Sequence, residues 1–204
     1  NREWFNAHRD AYESARDKVL VITEILISEV RKIDPEIPLM DPKDALFRIY
    51  RDIRFSPDKR PYKTHFGSFF SKGGFKSYRA GYYFHVQPGE CYLGGGIWMP
   101  PREVLKALRL AVYDHPEEMR AILEDPGFKR YFTDFDGEKL KKAPAGFPAD
   151  FPHMDLLRTK SYAVGINLPD GEFLGDRLLE VSVEVFREVA KLNRFLNEAL
   201  DQYL

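Results

Sequence analysis

The residues best suited to chemistry lie between Arg48 and Phe66. Six cations (Arg48, Arg51, Arg54, Lys59, Arg60, Lys63) stand there against two anions, Asp52 and Asp58, with aromatic and apolar side chains interleaved and Pro57 and Pro61 stiffening the second half. A solvated charge run has no need of the aromatics, and a plain core strand would not tolerate the charges. Guanidinium groups grip phosphates and carboxylates through paired parallel hydrogen bonds, so the segment reads as an organised polar site that prefers anions. Arg48, Arg51, Arg54, Lys59 and Lys63 are the expected ligand-binding residues. The competing reading is an internal lattice, with the arginines paired to Asp52, Asp58 and more distant acids.

The five histidines (His8, His65, His85, His115, His153) are too scattered for a helical metal pair, and no cysteine pair joins them, so neither metal nor cofactor is expected. His85 is the most suggestive. If Tyr82, Phe84 and Val86 face the core, Tyr83 and His85 share the opposite face and can meet the basic segment, where His85 or His65 would be the group to carry a proton. The plainer reading is a hydrogen-bonded sheet residue. Gly94-Gly95-Gly96 does not run straight into a helix as phosphate-binding loops do, and fits a bulge or a close backbone approach. No serine occupies a Gly-x-Ser-x-Gly elbow, and Cys91, beside Tyr92 and Leu93, reads as a small core residue.

Stepping outward, the 204 residues suffice for one domain spanning 1–204, and 44% hydrophobic with 31% charged residues is a globular balance. The net charge of −1 supplies no global field toward nucleic acid or membrane, so any anion preference is local. The lone Cys91 excludes an internal disulfide framework and suits a reducing, cytoplasmic setting. No apolar run approaches the roughly 20 residues that span a bilayer.

Trp4 to Ile33 carries a helical stripe that includes Trp4, His8, Tyr12, Val19, Leu26 and Val30, with room for a break near its middle. Asp34-Pro35 ends it. After a proline-rich connection, Arg48 to Phe55 reads as a strand with Arg48 and Arg54 on a polar face beside Asp52. Arg51 then falls on the apolar face, where it must find a partner. Gly67 to Ala80 reads as a loop. Gly81–Gln87 and Cys91 onward form a hairpin about Pro88-Gly89-Glu90, and Pro100-Pro101 opens a helix. A second helix starts at Pro116, Lys139 to Pro152 is an irregular crossing, and Ser161–Leu168 alternates as a strand. Pro169-Asp170-Gly171 is a turn, and a final helical stripe runs from Leu174 to Tyr203, with Gly175 and Asn193 as weak points. Short strands between long helices predict an α+β fold: a mainly antiparallel sheet packed with long N- and C-terminal helices.

Several blocks of this order resemble an uncharacterised family known as domain of unknown function 2461. They are Asn1-Arg2-Glu3-Trp4-Phe5, then Arg51 to Ser56 with Asp58-Lys59 and Pro61 to Thr64. Gly81-Tyr82-Tyr83, Pro88-Gly89-Glu90, Gly94 to Gly96 and Pro100 follow, and Lys142-Ala143-Pro144, Gly146-Phe147 and Leu157 to Ser161 complete the set. Arg60 stands where Thr or Ser is expected. The resemblance covers nearly the whole chain and implies a single domain, but no activity and no catalytic residues.

Three functions remain open on sequence. The first is a domain that recognises a phosphate- or carboxylate-bearing small ligand through 48–65. The second is a nucleic-acid-binding module with Arg60, Lys63, Lys72, Lys76 and Arg79 along a backbone path. The third is an interaction domain whose basic segment is an internal ion-pair network.

Overall fold

A computed structural model describes residues 1–173, 175 and 177–204. Helix α1 (Arg2–Ala7) is capped by the Asn1 side chain, which accepts the Trp4 N–H at 2.8 Å. The chain leaves helical geometry at His8 (φ −119°, ψ 24°) and re-enters it as α2 (Arg9–Ile33). The break therefore comes near the start of the stripe rather than at its middle. Trp4 and His8 were expected on the buried face. Instead both are exposed and stack on each other at 4.2 Å, and Phe5 is buried in their place. Asp34 ends α2 in extended geometry, as its place before Pro35 requires.

After the short α3 (Pro42–Ala45) come β1 (Phe66–Ser71), β2 (Gly81–Val86) and β3 (Cys91–Ile97). Helices α4 (Arg102–Asp114), α5 (Pro116–Glu124), α6 (Pro126–Tyr131) and α7 (Met154–Leu157) separate β3 from β4 (Tyr162–Leu168). The four strands form one antiparallel sheet in sequence order. Helix α8 (Asp170–Phe173) occupies what the sequence presents as a turn, and α9 (Leu178–Tyr203) closes the chain. Leu174, where the sequence starts the last stripe, lies outside the described residues. The architecture is α+β, with long helices at both ends of the chain, as the element pattern predicts.

Pleating divides the sheet into two faces. Phe70, Tyr82, Phe84, Leu93, Val164 and Tyr162 point inward and are fully buried, with α9 and α2 packed on that face. Phe186 of α9 meets Tyr82 and Phe70 edge-on, at 5.4 and 5.8 Å. The triple glycine does not interrupt β3. A Cβ on Gly95 would lie 2.3 Å from the Gly81 carbonyl oxygen and 2.4 Å from Val189 Cγ1, so its absence lets α9 rest on the strand backbone. Gly96 adopts φ +100°, which a side chain would strain.

β1 is the strand the sequence hides. Ser68 faces inward, fully buried, and its hydroxyl is 2.7 Å from that of Thr23 on α2, so a polar residue occupies a core position by pairing with another. Asn193, a weak point on sequence, is likewise fully buried, and its Nδ2 donates to the Gly81 carbonyl at 3.0 Å.

Candidate functional site

The segment 46–68 is a two-stranded ribbon that continues β1 beyond the edge of the sheet. Leu46 bridges to Ser68 and Tyr50 to Tyr62. The Phe47 N–H donates to the Gly67 carbonyl (2.8 Å), Lys63 N–H to Ile49 (2.8 Å) and Arg51 N–H to Pro61 (2.9 Å). Phe5 stacks on Tyr62 at 4.2 Å, which pins the ribbon to α1. The predicted strand over 48–55 is thus extended only to about Arg51 and makes isolated bridges rather than a regular ladder. Beyond that point the side chains of two aspartates capture the backbone.

Asp52 Oδ1 accepts the Arg54 N–H (3.2 Å), while the Arg54 guanidinium forks onto both carboxylate oxygens at 3.0 and 2.7 Å. Asp58 holds Arg60 in the same way, through its N–H at 3.0 Å and its guanidinium at 2.8 to 3.1 Å. Two-residue spacing makes this possible, since an aspartate bonds readily to the backbone two positions on. The Arg54 hydrogen bonds bring the Asp52 carboxyl down to about 2, and the Arg60 hydrogen bonds likewise lower Asp58. Arg51 finds the partner its position demands, Asp58 at 2.6 Å, and also donates to the Arg60 carbonyl. Lys59 Nζ donates to the Ile53 carbonyl at 2.9 Å.

Three of the five expected ligand-binding residues, Arg51, Arg54 and Lys59, therefore satisfy each other's loop. Like Lys59, which has only the Ile53 carbonyl, the other two, Arg48 and Lys63, have no carboxylate within ion-pair distance among the described residues. Lys63 is partly buried, and its ammonium sits 5.0 Å from the centre of the Phe47 ring. Burial and then the charge of Arg48 lower its pKa.

Next to Lys63 is the sheet face turned away from the helices. β2 presents Tyr83 and His85 there, as its alternation predicts, and register places Tyr92 of β3 opposite His85. His65 stacks on His85 with ring centres 4.2 Å apart, and Tyr83 Oη shares a 2.8 Å hydrogen bond with His85 Nδ1. Burial brings His85 down to about 4, with His65 adding to the effect. His65 is lowered by burial and by Lys63. The charge of Arg48 disfavours that of Lys63, Lys63 a proton on His65, and His65 a proton on His85, while Gln87 and Glu90 oppose part of the effect on His65.

Sequence reasoning missed Tyr92 and Asp136. The Tyr92 hydroxyl donates to Asp136 Oδ2 at 2.5 Å, and burial raises the carboxyl's pKa. Gly165 makes this seat: a Cβ there would lie 2.0 Å from Tyr92 Cζ and Oη. The register of the hairpin about Gly89 carried a signal for Tyr92, but nothing local marked Asp136. No group of three or more His, Cys, Asp or Glu side chains suited to a metal occurs among the described residues.

Three of the five cations on the alternative nucleic-acid path are ion-paired. Lys72 binds Glu36 at 2.6 Å, Arg79 binds Asp201, and Arg60 binds Asp58. No helix among the described residues is long and apolar enough to cross a membrane.

The family model described as a conserved hypothetical protein (DUF2461) matches residues 1–195, and the chain belongs to that family. Comparisons with curated proteins and with solved structures give no match.

Proposed function

We propose that this member of the family recognises a small ligand bearing a phosphate or carboxylate at the junction of the ribbon and the open sheet face. Arg48 and Lys63 supply the charge there. The observation that carries the reading is the contrast within one basic segment: Arg51, Arg54 and Arg60 are held by Asp52 and Asp58, while Arg48 and Lys63 are left without a carboxylate among the described residues. Keeping two cations together without a counter-ion is unfavourable, and a bound anion relieves it. His65 and His85 lie alongside as neutral hydrogen-bonding groups able to take up a proton when the anion arrives.

A thermal-shift screen with phosphate, sugar phosphates, nucleotides and small carboxylates, at low and high salt, tests the reading. A ligand at one hundred times its Kd stabilises by about 2.7 kcal/mol, a shift on the order of 5–10 °C for a chain of this size. Arg48→Ala and Lys63→Ala should abolish the shift, and Arg54→Ala should keep it. Absence of a shift with every anion, or its survival in Lys63→Ala, overturns the proposal. A response confined to oligonucleotides would favour the nucleic-acid reading instead.

A further inference from the structure

The surface beside Lys63 is aromatic as well as cationic. Phe47, whose ring carries the Lys63 ammonium, touches Phe75 at 4.5 Å and Tyr83 at 6.1 Å between ring centres. Phe75 sits on the 3-10 turn Gly74–Lys76 and also contacts Phe69 at 6.2 Å, while Phe69 is the outward-facing register partner of Tyr83. The rings therefore form one contiguous but stepped shelf along the sheet face that carries His85, with Phe47 tilted 50° from Phe75 and 74° from Tyr83. Phe47 and Phe75 are 37% and 43% exposed, so the shelf is open to solvent at its cationic end.

Gly67 lets Tyr83 and Phe47 come close over the strand. A Cβ there would lie 3.0 Å from Tyr83 Oη, so Tyr83 would have to give by a few tenths of an ångström, and 3.4 Å from the Phe47 ring, an ordinary contact. Contiguous exposed rings are what an apolar part of a ligand can cover, and inorganic phosphate or a short-chain carboxylate has no such part. An anionic group fixed on an aromatic ring meets both demands at once. Its charge lies against Lys63 and Arg48, and its ring stacks on Phe75 beside the tilted Phe47 ring, whose face carries the Lys63 ammonium.

We infer that the ligand of this site carries its phosphate or carboxylate on an aromatic ring system, which the Phe47–Phe75 shelf stacks while Lys63 and Arg48 hold the anion. The inference rests on the anion reading of Lys63 and Arg48 and adds the class of molecule. Stacking on an aromatic side chain is worth about ten-fold or more in affinity.

The test compares inorganic phosphate, cyclohexyl phosphate and phenyl phosphate by calorimetry on the full chain. Phenyl phosphate should bind about ten-fold more tightly than inorganic phosphate, with cyclohexyl phosphate between them. Phe75→Ala alters an exposed ring on a short turn, so it should fold. It should bring phenyl phosphate to within about two-fold of inorganic phosphate while leaving the latter unchanged. Phe75→Leu, which keeps apolar area but not the ring, should lose the preference for phenyl over cyclohexyl. Equal affinities for inorganic and phenyl phosphate, or for phenyl and cyclohexyl phosphate, overturn this inference and leave the anion site standing. So does a ten-fold preference that survives Phe75→Ala. Failure of all three phosphates to bind overturns the anion site itself, and the inference with it.

Discussion

The His65 and His85 imidazoles lie face to face, 4.2 Å between centres and 28° from parallel, with the Lys63 ammonium near enough to disfavour a proton on His65. Two stacked rings can share neutral forms easily, but a second proton brings like charges into contact. Burial is the larger cause for each ring, and the neighbouring cation is the next.

Removing the charge of Lys63 should therefore raise the His65 pKa without restoring its ordinary value, since burial remains. His85 should change less, because the charge that bears on it is that of His65 rather than Lys63. A histidine-resolved NMR titration of Lys63→Ala against wild type measures both. A His65 midpoint that does not rise would show that Lys63 points away from the rings in solution.

The paired arginines at the ribbon tip should matter differently. Arg54 is 76% exposed, and exposed pairs contribute little, so Arg54→Ala should move Tm by less than about 2 °C. Arg51 is only 26% exposed and ties Asp58 and the Arg60 carbonyl to the opposite arm of the ribbon. Arg51→Ala should speed chymotryptic cleavage after Phe55, which is 93% exposed at the tip, by several-fold, on the order of the factor expected for losing one charged hydrogen bond. Equal cleavage of the two variants would show that Arg51 does not hold the arms together.

Asn197 of α9 is buried, and its Oδ1 accepts the Ala80 N–H at 2.9 Å just before β2 begins. Asn197→Ala strands that buried donor, at a cost of about 1–3 kcal/mol. Chemical denaturation should show a lower midpoint with an unchanged slope. A change below about 0.5 kcal/mol would mean that water reaches Ala80 and replaces the side chain.

These residues show what was legible in the chain. The outward placement of Tyr83 and His85 could be read because β2 alternates large apolar residues with polar ones, and a strand has only two faces. That Arg51 needed a partner was legible for the same reason. β1 was not, because Phe66-Gly67-Ser68-Phe69-Phe70-Ser71 hides its inward position at Ser68 behind a hydroxyl satisfied by Thr23, 45 residues away. Asn193 misled similarly, since polar groups are welcome in a core only when distant partners meet them. Which cations are free was illegible in principle. Composition gives the surplus over 48–66, but only the bends at Asp52 and Asp58 decide that Arg54 and Arg60 are consumed while Arg48 and Lys63 are not.

The pH dependence of binding follows from the histidines. In the free protein His85 holds its proton only below about 4, and His65 is also lowered. A bound anion beside them favours the charged imidazole, so the bound-state pKa values exceed the free ones. Between the free and bound values the complex holds more protons than the free protein, and binding is accompanied by proton uptake. Affinity must then rise as pH falls through that window. The free protein behaves oppositely. The unfolded chain titrates near 6.5 and takes up protons before the folded one does, so stability falls as pH drops from about 6.5 toward 4. Phenyl sulfate keeps the ligand's own ionisation out of the measurement, since its charge does not change over this range. Its affinity measured from pH 8 to pH 5.5 should increase several-fold, and replacing both histidines, His65→Gln with His85→Gln, should flatten the dependence. An affinity that stays level or falls on acidification would place the anion away from the stacked histidines.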